Sequence, residues 1–344
     1  MLATVSIGIP QNALILQSTA ASTSPAVTVE DISDPTAVGS GIDWIDLDAV
    51  KLQAAPFRAR RVTVRLPRTT LMFHAVDAPL RTRTTVRAGQ VAFVAFGPKA
   101  PGTLNGLSVR PGMLLAAAAN EEARFVVEPG WQSVNLLVSP QDLAAHLRAR
   151  QREAEFRPPQ GLELLQVDPQ KVRALFRWGQ RVARRAAARP ALFESHGWQR
   201  AAAEAEGVET LLAALRVADD VRPSRSERSR QAQSRIVQLA EDHALAHADQ
   251  PMYVTDLCRA AAVSERALEY AFKASLGLTP MAYLVRLRLH RARSALKAAR
   301  EDAGATVSAV ALDWGFWHFG EFARAYKACF GELPSQTLRG RRDG

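Results

Sequence analysis

His243 and His247 stand four residues apart in a helical pattern, a spacing that puts two imidazoles on one face where they can share a metal ion. Neither has an acidic or Cys neighbour in a ligand frame, and a catalytic metal commonly takes three protein ligands. Of the seven histidines only His74 falls in the strand-rich part of the chain, and it reads as a packed or hydrogen-bonded residue. The two cysteines, Cys258 and Cys329, sit among apolar helical neighbours and read as buried free thiols of a reducing compartment. No phosphate-binding loop, GxSxG elbow or CxxC pair is present, so enzyme classes other than a metal enzyme have no foothold and no cofactor is implied.

What remains is arginine. Lys and Arg number 44 against 34 Asp and Glu, for a formal net charge of +10 and a pI near 10.3, a balance that suits a polyanionic partner. The excess is +5 before Arg225 and +5 from Arg225 onward, so it is denser in the shorter C-terminal piece. A chain of 344 residues at 47% hydrophobic divides more comfortably into two domains than one. No apolar run approaches the roughly 18 to 20 residues of a membrane span.

The elements that position these charges fall into three zones. From about Trp44 to Val138, apolar runs such as RVTVRL, TTLMFHAV and GQVAFVAF alternate with Gly/Pro-rich breaks about every ten residues, which predicts an all-β sandwich or barrel. From Gln141 to about Val217 the texture becomes Ala, Leu, Arg and Glu at helical spacing, predicting two or three helices that cover the sheet or pair with a second subunit. Residues 219–233, DDVRPSRSERSRQAQ, are polar and charge-mixed and read as a linker. Residues 1–29 carry no ionisable side chain and read as a disordered leader or as a misplaced start codon. The expected domains are thus 30–218 and 234–340.

The last hundred residues repeat at an offset of 54: Ala271, Lys273, Ala274, Gly277 and Pro280 fall on Ala325, Lys327, Ala328, Gly331 and Pro334. Each copy reads as a helix-turn-helix. Thr255 or Asp256 caps a first helix, Ser264 caps a second with a Leu268, Phe272, Leu276 stripe, and Gly277 ends it. In the second copy Ser308 is the expected cap, Gly315 the turn, and Phe322, Tyr326 and Phe330 the stripe. Residues 313–331 hold seven of the chain's 23 Phe, Trp and Tyr residues, which suits the core of so small a unit. Between the copies, Pro280 opens a long helix with Val285, Leu289, Ala292 and Leu296 inward and Arg286, Arg288, Arg291, Arg293, Lys297 and Arg300 on its surface. Two such units held about 34 Å apart would meet successive major grooves of B-DNA.

The duplicated motif, the linking helix RLRLHRARSAL and the segment GFWHFGEFARAYKACFGELPS together resemble the DNA-binding domain of the AraC/XylS family of bacterial transcription regulators, over about residues 235 to 340. The second copy is most similar to the branch that includes the ethanolamine-operon regulator. The resemblance implies an α+β chain: an N-terminal cupin-like β-barrel or sandwich that binds a small-molecule effector, dimerising helices, and an all-α C-terminal domain. It also implies a cytoplasmic homodimer acting on promoter DNA with RNA polymerase as a partner, an activator by family habit, with a repressor of the same architecture or a metal-dependent cupin enzyme as alternatives.

Helix geometry and the family pattern place Ser264, Arg266, Glu269, Tyr270 and Lys273 on the DNA side of the first recognition helix, and His318, Gly320, Glu321, Arg324 and Lys327 on that of the second. Arg266 and Arg324 are the expected base readers, because guanidinium suits bidentate contact with guanine, and Lys327 suits a phosphate. Trp317 and Phe319 stand where the family usually has polar residues and are expected to pack on the linking helix, with contact to a thymine methyl as the alternative. The second copy is then expected to be the less selective reader. An effector pocket would draw on Trp44, Phe73, His74, Phe93 and Trp131, with Phe57 and Phe96 in the same pool.

Overall fold

The computed structural model describes residues 25–340, apart from 55, 217, 249, 302 and 303. The leader expectation therefore lies outside the described residues through position 24. Its last residues, Val27 to Val29, belong instead to the first strand.

Strands β1 (Val27–Ile32), β2 (Ile45–Lys51), β3 (Ala59–Arg65), β4 (Thr69–Val76), β5 (Leu80–Val86) and β6 (Val91–Phe96) come first. They are followed by β7 (Gly102–Leu104), β8 (Leu107–Ser108), β9 (Met113–Ala117), β10 (Glu122–Val127) and β11 (Trp131–Val138). Helix α1 (Pro140–Arg148), strand β12 (Leu162–Gln166), helices α2 (Pro169–Ala188), α3 (Pro190–Ser195) and α4 (Gly197–Leu215), and strand β13 (Asp219–Asp220) complete the N-terminal part. The strands form an eight-stranded sheet, β1-β3-β4-β11-β6-β9-β12-β13, and a five-stranded sheet, β2-β5-β10-β7-β8, with every pair antiparallel.

Both faces of the larger sheet are buried. Leu80, Val94, Phe96, Met113, Leu115, Phe125 and Trp131 fill the space between the sheets. On the other face, Leu71, Phe93, Leu114, Val134 and Leu136 meet Leu175, Phe176, Trp178 and Leu211 of α2 and α4. Strand β6 consequently has no exposed position, although an antiparallel strand with one solvated face would alternate. The helices following the sheet cover it, as one of the two sequence readings allowed.

The C-terminal part runs α5 (Arg225–Ala246), α6 (Val254–Ala261), α7 (Glu265–Leu276), α8 (Pro280–Ala298), α9 (Val307–Asp313), α10 (Phe319–Phe330) and α11 (Pro334–Arg339). Residues 219–233 are not a free linker, since most of them form the first turns of α5. Ser224 accepts from Glu227 N, and Glu227 accepts from Ser224 N at 2.9 Å, a reciprocal capping box that the S-x-x-E spacing encodes. Glu227 is also paired with Arg110 of the β-domain at 3.2 Å.

Candidate nucleic-acid interface

Two copies of one local design build the interface. In the first, α6 ends on Ala262 in the left-handed conformation, Ser264 Oγ caps α7 by accepting from Ala267 N, and Gly277 (φ 70°) closes it. In the second, Gly315 (φ 71°) makes the turn and Gly331 (φ 79°) closes α10. A Cβ on Gly315 would meet Arg288 Nη1 at 2.8 Å and Ala248 O at 3.0 Å, so that turn has neither the conformation nor the room for a side chain. Two expected caps are corrected: Tyr253, not Thr255 or Asp256, precedes α6, and Thr306, not Ser308, caps α9 through Ala309 N at 3.1 Å.

The stripes face inward as spaced. Leu268, Phe272 and Leu276 join Leu257, Tyr283 and Leu284 in one core. Phe322 and Tyr326 join Leu289, Leu296 and Val310 in the other, with Trp314, Phe316 and Phe330 against them. This accounts for five of the seven crowded aromatic rings. The other two, Trp317 and Phe319, are 55% and 45% exposed, contrary to the expected packing on the linking helix. They flank His318, the residue before α10, while Phe316 takes the inward place against Phe322 at 4.8 Å.

All ten expected interface residues are exposed: Ser264, Arg266, Glu269, Tyr270 and Lys273 around α7, and His318, Gly320, Glu321, Arg324 and Lys327 around α10. Lys273 Nζ donates to Gly277 O at 3.3 Å. Among the described residues the side chains of Arg266 and Arg324 make no hydrogen bond or ion pair, so both guanidiniums keep their donors for an outside acceptor. Helix α8 behaves differently from the expected basic surface, because much of its charge is turned to the β-domain. Arg291 holds Asp48 at 2.7 Å, Arg293 holds Asp34 at 2.9 Å and Glu332 at 2.8 Å, and Lys297 reaches Asp34. Burial would raise the Asp34 carboxyl, but Lys297 and Arg293 outweigh it and hold that group well below the usual range. Val285, expected inward, is 38% exposed.

A second contact ties the two parts more deeply. Glu241 of α5 is buried and accepts from Arg81 of β5 at 3.2 Å, from Arg124 of β10 at 2.7 Å, and from the Tyr283 hydroxyl of α8. Arg124 also reaches Asp242 at 2.6 Å. Burial alone would push the Glu241 carboxyl up; Arg81 and Arg124 outweigh it and keep the group ionised, while burial and Glu241 push the Tyr283 hydroxyl up. Val50 and Val126 of the five-stranded sheet, with Leu52 just past β2, join the apolar core of the first helix-turn-helix, so its foundation is shared between the two parts.

Behind that contact, between the sheets, lies a cavity of about 80 Å³. His74 and Trp131 line it, together with Leu80, Thr82 and Thr84 of β5 and Ala123, Phe125 and Val127 of β10. The other expected pocket residues do not. Phe73 and Phe93 point to the helices, because side chains alternate along β4 and β6 and His74 and Val94 take the cavity side. Trp44 lies under the Arg65 guanidinium at 5.1 Å. Phe57 and Phe96 belong to the core around the cavity and not to its lining. Sequence reasoning missed Ser133 and Asn135, polar and buried on the cavity face of β11.

His243 and His247 stack with ring centroids 4.3 Å apart, and no group of three His, Cys, Asp or Glu able to hold a metal occurs among the described residues. Cys258 and Cys329 are both free. No described helix is long and apolar enough to cross a membrane.

Residues 257–340 match the family described as "Helix-turn-helix domain". This stretch is a helix-turn-helix domain of the AraC type. It is similar to the "Probable thc operon regulatory protein" of Rhodococcus erythropolis, 45% identical over 104 residues, 30% of this chain and 31% of that one. It is also similar to the "XylDLEGF operon transcriptional activator 3" of Pseudomonas putida, 39% identical over 111 residues, 31% of each chain. A solved structure of a probable AraC family transcriptional regulator from Rhodopseudomonas palustris is 36% identical and covers 30% of this chain and 94% of that one, with a TM-score of 0.28. The matched stretches span less than a third of the length of these two curated relatives, and residues 257–340 lie in the part built from α6 to α11.

Proposed function

We propose that this chain is a sequence-specific, DNA-binding regulator of transcription of the AraC/XylS kind, an activator that responds to a small molecule. The observation that carries the reading is the pair of helix-turn-helix units whose second helices present Arg266 and Arg324 exposed and without partners. Arg266, Glu269 and Tyr270 read bases from the first unit with Ser264 at its cap, and His318, Gly320, Glu321 and Arg324 from the second, while Lys273 and Lys327 meet phosphates. Activation is supported by the Pseudomonas putida relatives, which are named as transcriptional activators.

The β-domain is cupin-like in this reading and takes the effector between its sheets. The protein works in the cytoplasm as a homodimer and engages RNA polymerase, both supported by the family resemblance. The ethanolamine-operon branch is supported only by GFWHFG and FGELPS in the second copy.

Footprinting on the DNA upstream of the chain's own gene and its neighbours, repeated at several salt concentrations, tests the reading. Two protected major-groove segments about one turn apart, lost steeply as salt rises, are expected. Only diffuse, sequence-blind protection with and without the ligands of the neighbouring pathway would overturn it.

A further inference from the structure

The cavity between the sheets has a lining of one chemical character. It is aliphatic and aromatic except where the Thr side chains of β5 and the group His74, Ser133 and Asn135 enter it, and its one carboxylate is the part-exposed Glu121. It has no Lys or Arg in its lining. The guanidinium of Arg61, which pairs with His74 across β3 and β4, is committed elsewhere. It donates to Glu30 at 2.7 Å, to Val38 O at 2.6 Å and to Ser40 O. An anion entering this space leaves water and meets no counter-charge, and a cation meets only Glu121.

One buried side-chain polar atom of the cavity wall lacks a partner among the described residues. His74 Nε2 is enclosed and unbonded, whereas Asn135 Nδ2 reaches Ser133 Oγ and Met72 O, each at 3.4 Å. Burial, reinforced by Arg61, keeps the imidazole neutral at ordinary pH. A neutral imidazole presents Nε2 either as an acceptor or as a donor according to its tautomer, and a hydroxyl group satisfies both. We propose that the cavity binds an uncharged, mainly apolar small molecule whose one hydroxyl hydrogen-bonds to His74 Nε2. A volume of about 80 Å³, roughly half that of a cavity that holds benzene, fits a short branched chain.

This inference rests on the cavity being the effector site, and its test is separable from that of DNA binding. The full chain is titrated calorimetrically with three branched probes of similar shape: isobutanol, isobutyrate and isobutylammonium. Isobutanol is expected to bind at least roughly tenfold more tightly than either ion, and His74→Leu to weaken it roughly tenfold. His74→Gln, which keeps a polar tip, is expected to retain more affinity than His74→Leu, and Ala117→Leu, which fills the space, to abolish binding, with thermal melts confirming that each variant folds. Equal or tighter binding of either ion, no saturable binding of isobutanol, or indifference of folded variants at position 74 would overturn the proposal. Footprinting of the same preparation without any probe scores the DNA-binding reading by itself, so the two failures are told apart.

Discussion

Arg81 and Thr82 are consecutive residues of β5 with opposite allegiances: Thr82 lines the cavity, and Arg81 donates to Glu241 of α5 in the DNA-binding part. The same division holds one strand over, where Ala123 and Phe125 face the cavity and Arg124 between them binds Glu241 and Asp242. A single sheet therefore separates the candidate effector space from the ion cluster that seats the first helix-turn-helix. Removing the shared carboxylate leaves the buried Arg81 guanidinium without its ion pair and takes one of three carboxylates from Arg124, so Glu241→Ala is expected to cost about 3 to 5 kcal/mol. Replacing Arg81, Arg124 and Glu241 together by Met is expected to recover most of that loss, because the desolvation of the charges disappears with them. Urea denaturation of the two variants checks both expectations; an unchanged midpoint in Glu241→Ala would remove the cluster from the forces holding the parts together.

Stability is expected to fall as the solution is acidified from neutrality. Burial, with Arg61 beside one and Lys51 beside the other, pushes His74 and His290 down to about 3 from 6.5. Between those values the unfolded chain binds protons that the folded chain does not, so each imidazole removes stability as pH drops through that window, up to roughly 2 kcal/mol by pH 5. Glu241 acts lower on the scale. Its folded carboxyl is held below 4.5, so its contribution is complete above that value and disappears as pH falls further. His290 Nε2 accepts from Lys51 N at 3.2 Å, an acceptor role that a Gln oxygen can take over. His290→Gln is therefore expected to flatten the slope of unfolding free energy between pH 7 and 5 by about half, measured in urea at each pH.

At the DNA side, Arg266→Ala and Arg324→Ala are each expected to cost about 1 to 3 kcal/mol of specific binding, with relaxed preference at one base position apiece. Lys273→Ala and Lys327→Ala are expected to weaken all sequences alike and to shallow the salt dependence. Titration of labelled operator DNA at several salt concentrations separates the two patterns. Unchanged affinity in both arginine variants would sink the assignment of the reading heads.

The helical half was largely legible in the sequence because its signals are local. Glycine after a helix, Ser or Thr before one and a three-to-four residue stripe are each read within a few positions, and Ser264, Gly277, Gly315 and Gly331 all act as their spacing implied. The start of α5 was equally local but masked by charge: Ser224 and Glu227 form a capping box inside a stretch whose Arg and Ser content reads as linker. The cavity was not legible, because both faces of β6 and β9 are buried and alternation cannot say which neighbour is a helix and which a second sheet. Thus Phe93 and His74 looked equivalent, and only tertiary packing sends one to Phe156 and the other to the cavity. The charges of α8 failed for a related reason. Arg291 and Arg293 find Asp48 and Asp34 more than 240 residues away, a pairing no local pattern carries.

Trp317 and Phe319 give the remaining prediction. Exposed aromatic rings cost little to truncate when they pack on nothing, so Trp317→Ala and Phe319→Ala are expected to change stability by less than about 0.5 kcal/mol. Their position around His318, at the N-terminal end of α10, puts both rings on the side that the proposed reading gives to DNA. In the major groove an apolar side chain gains by covering a thymine methyl. The double variant is accordingly expected to lose DNA affinity while its urea midpoint stays in place, and to lose more on operators with thymine in the second half-site than on those where it is replaced by cytosine. A shifted midpoint with unchanged affinity would instead return the two rings to the role of packing, and the second unit would then be the less selective of the two.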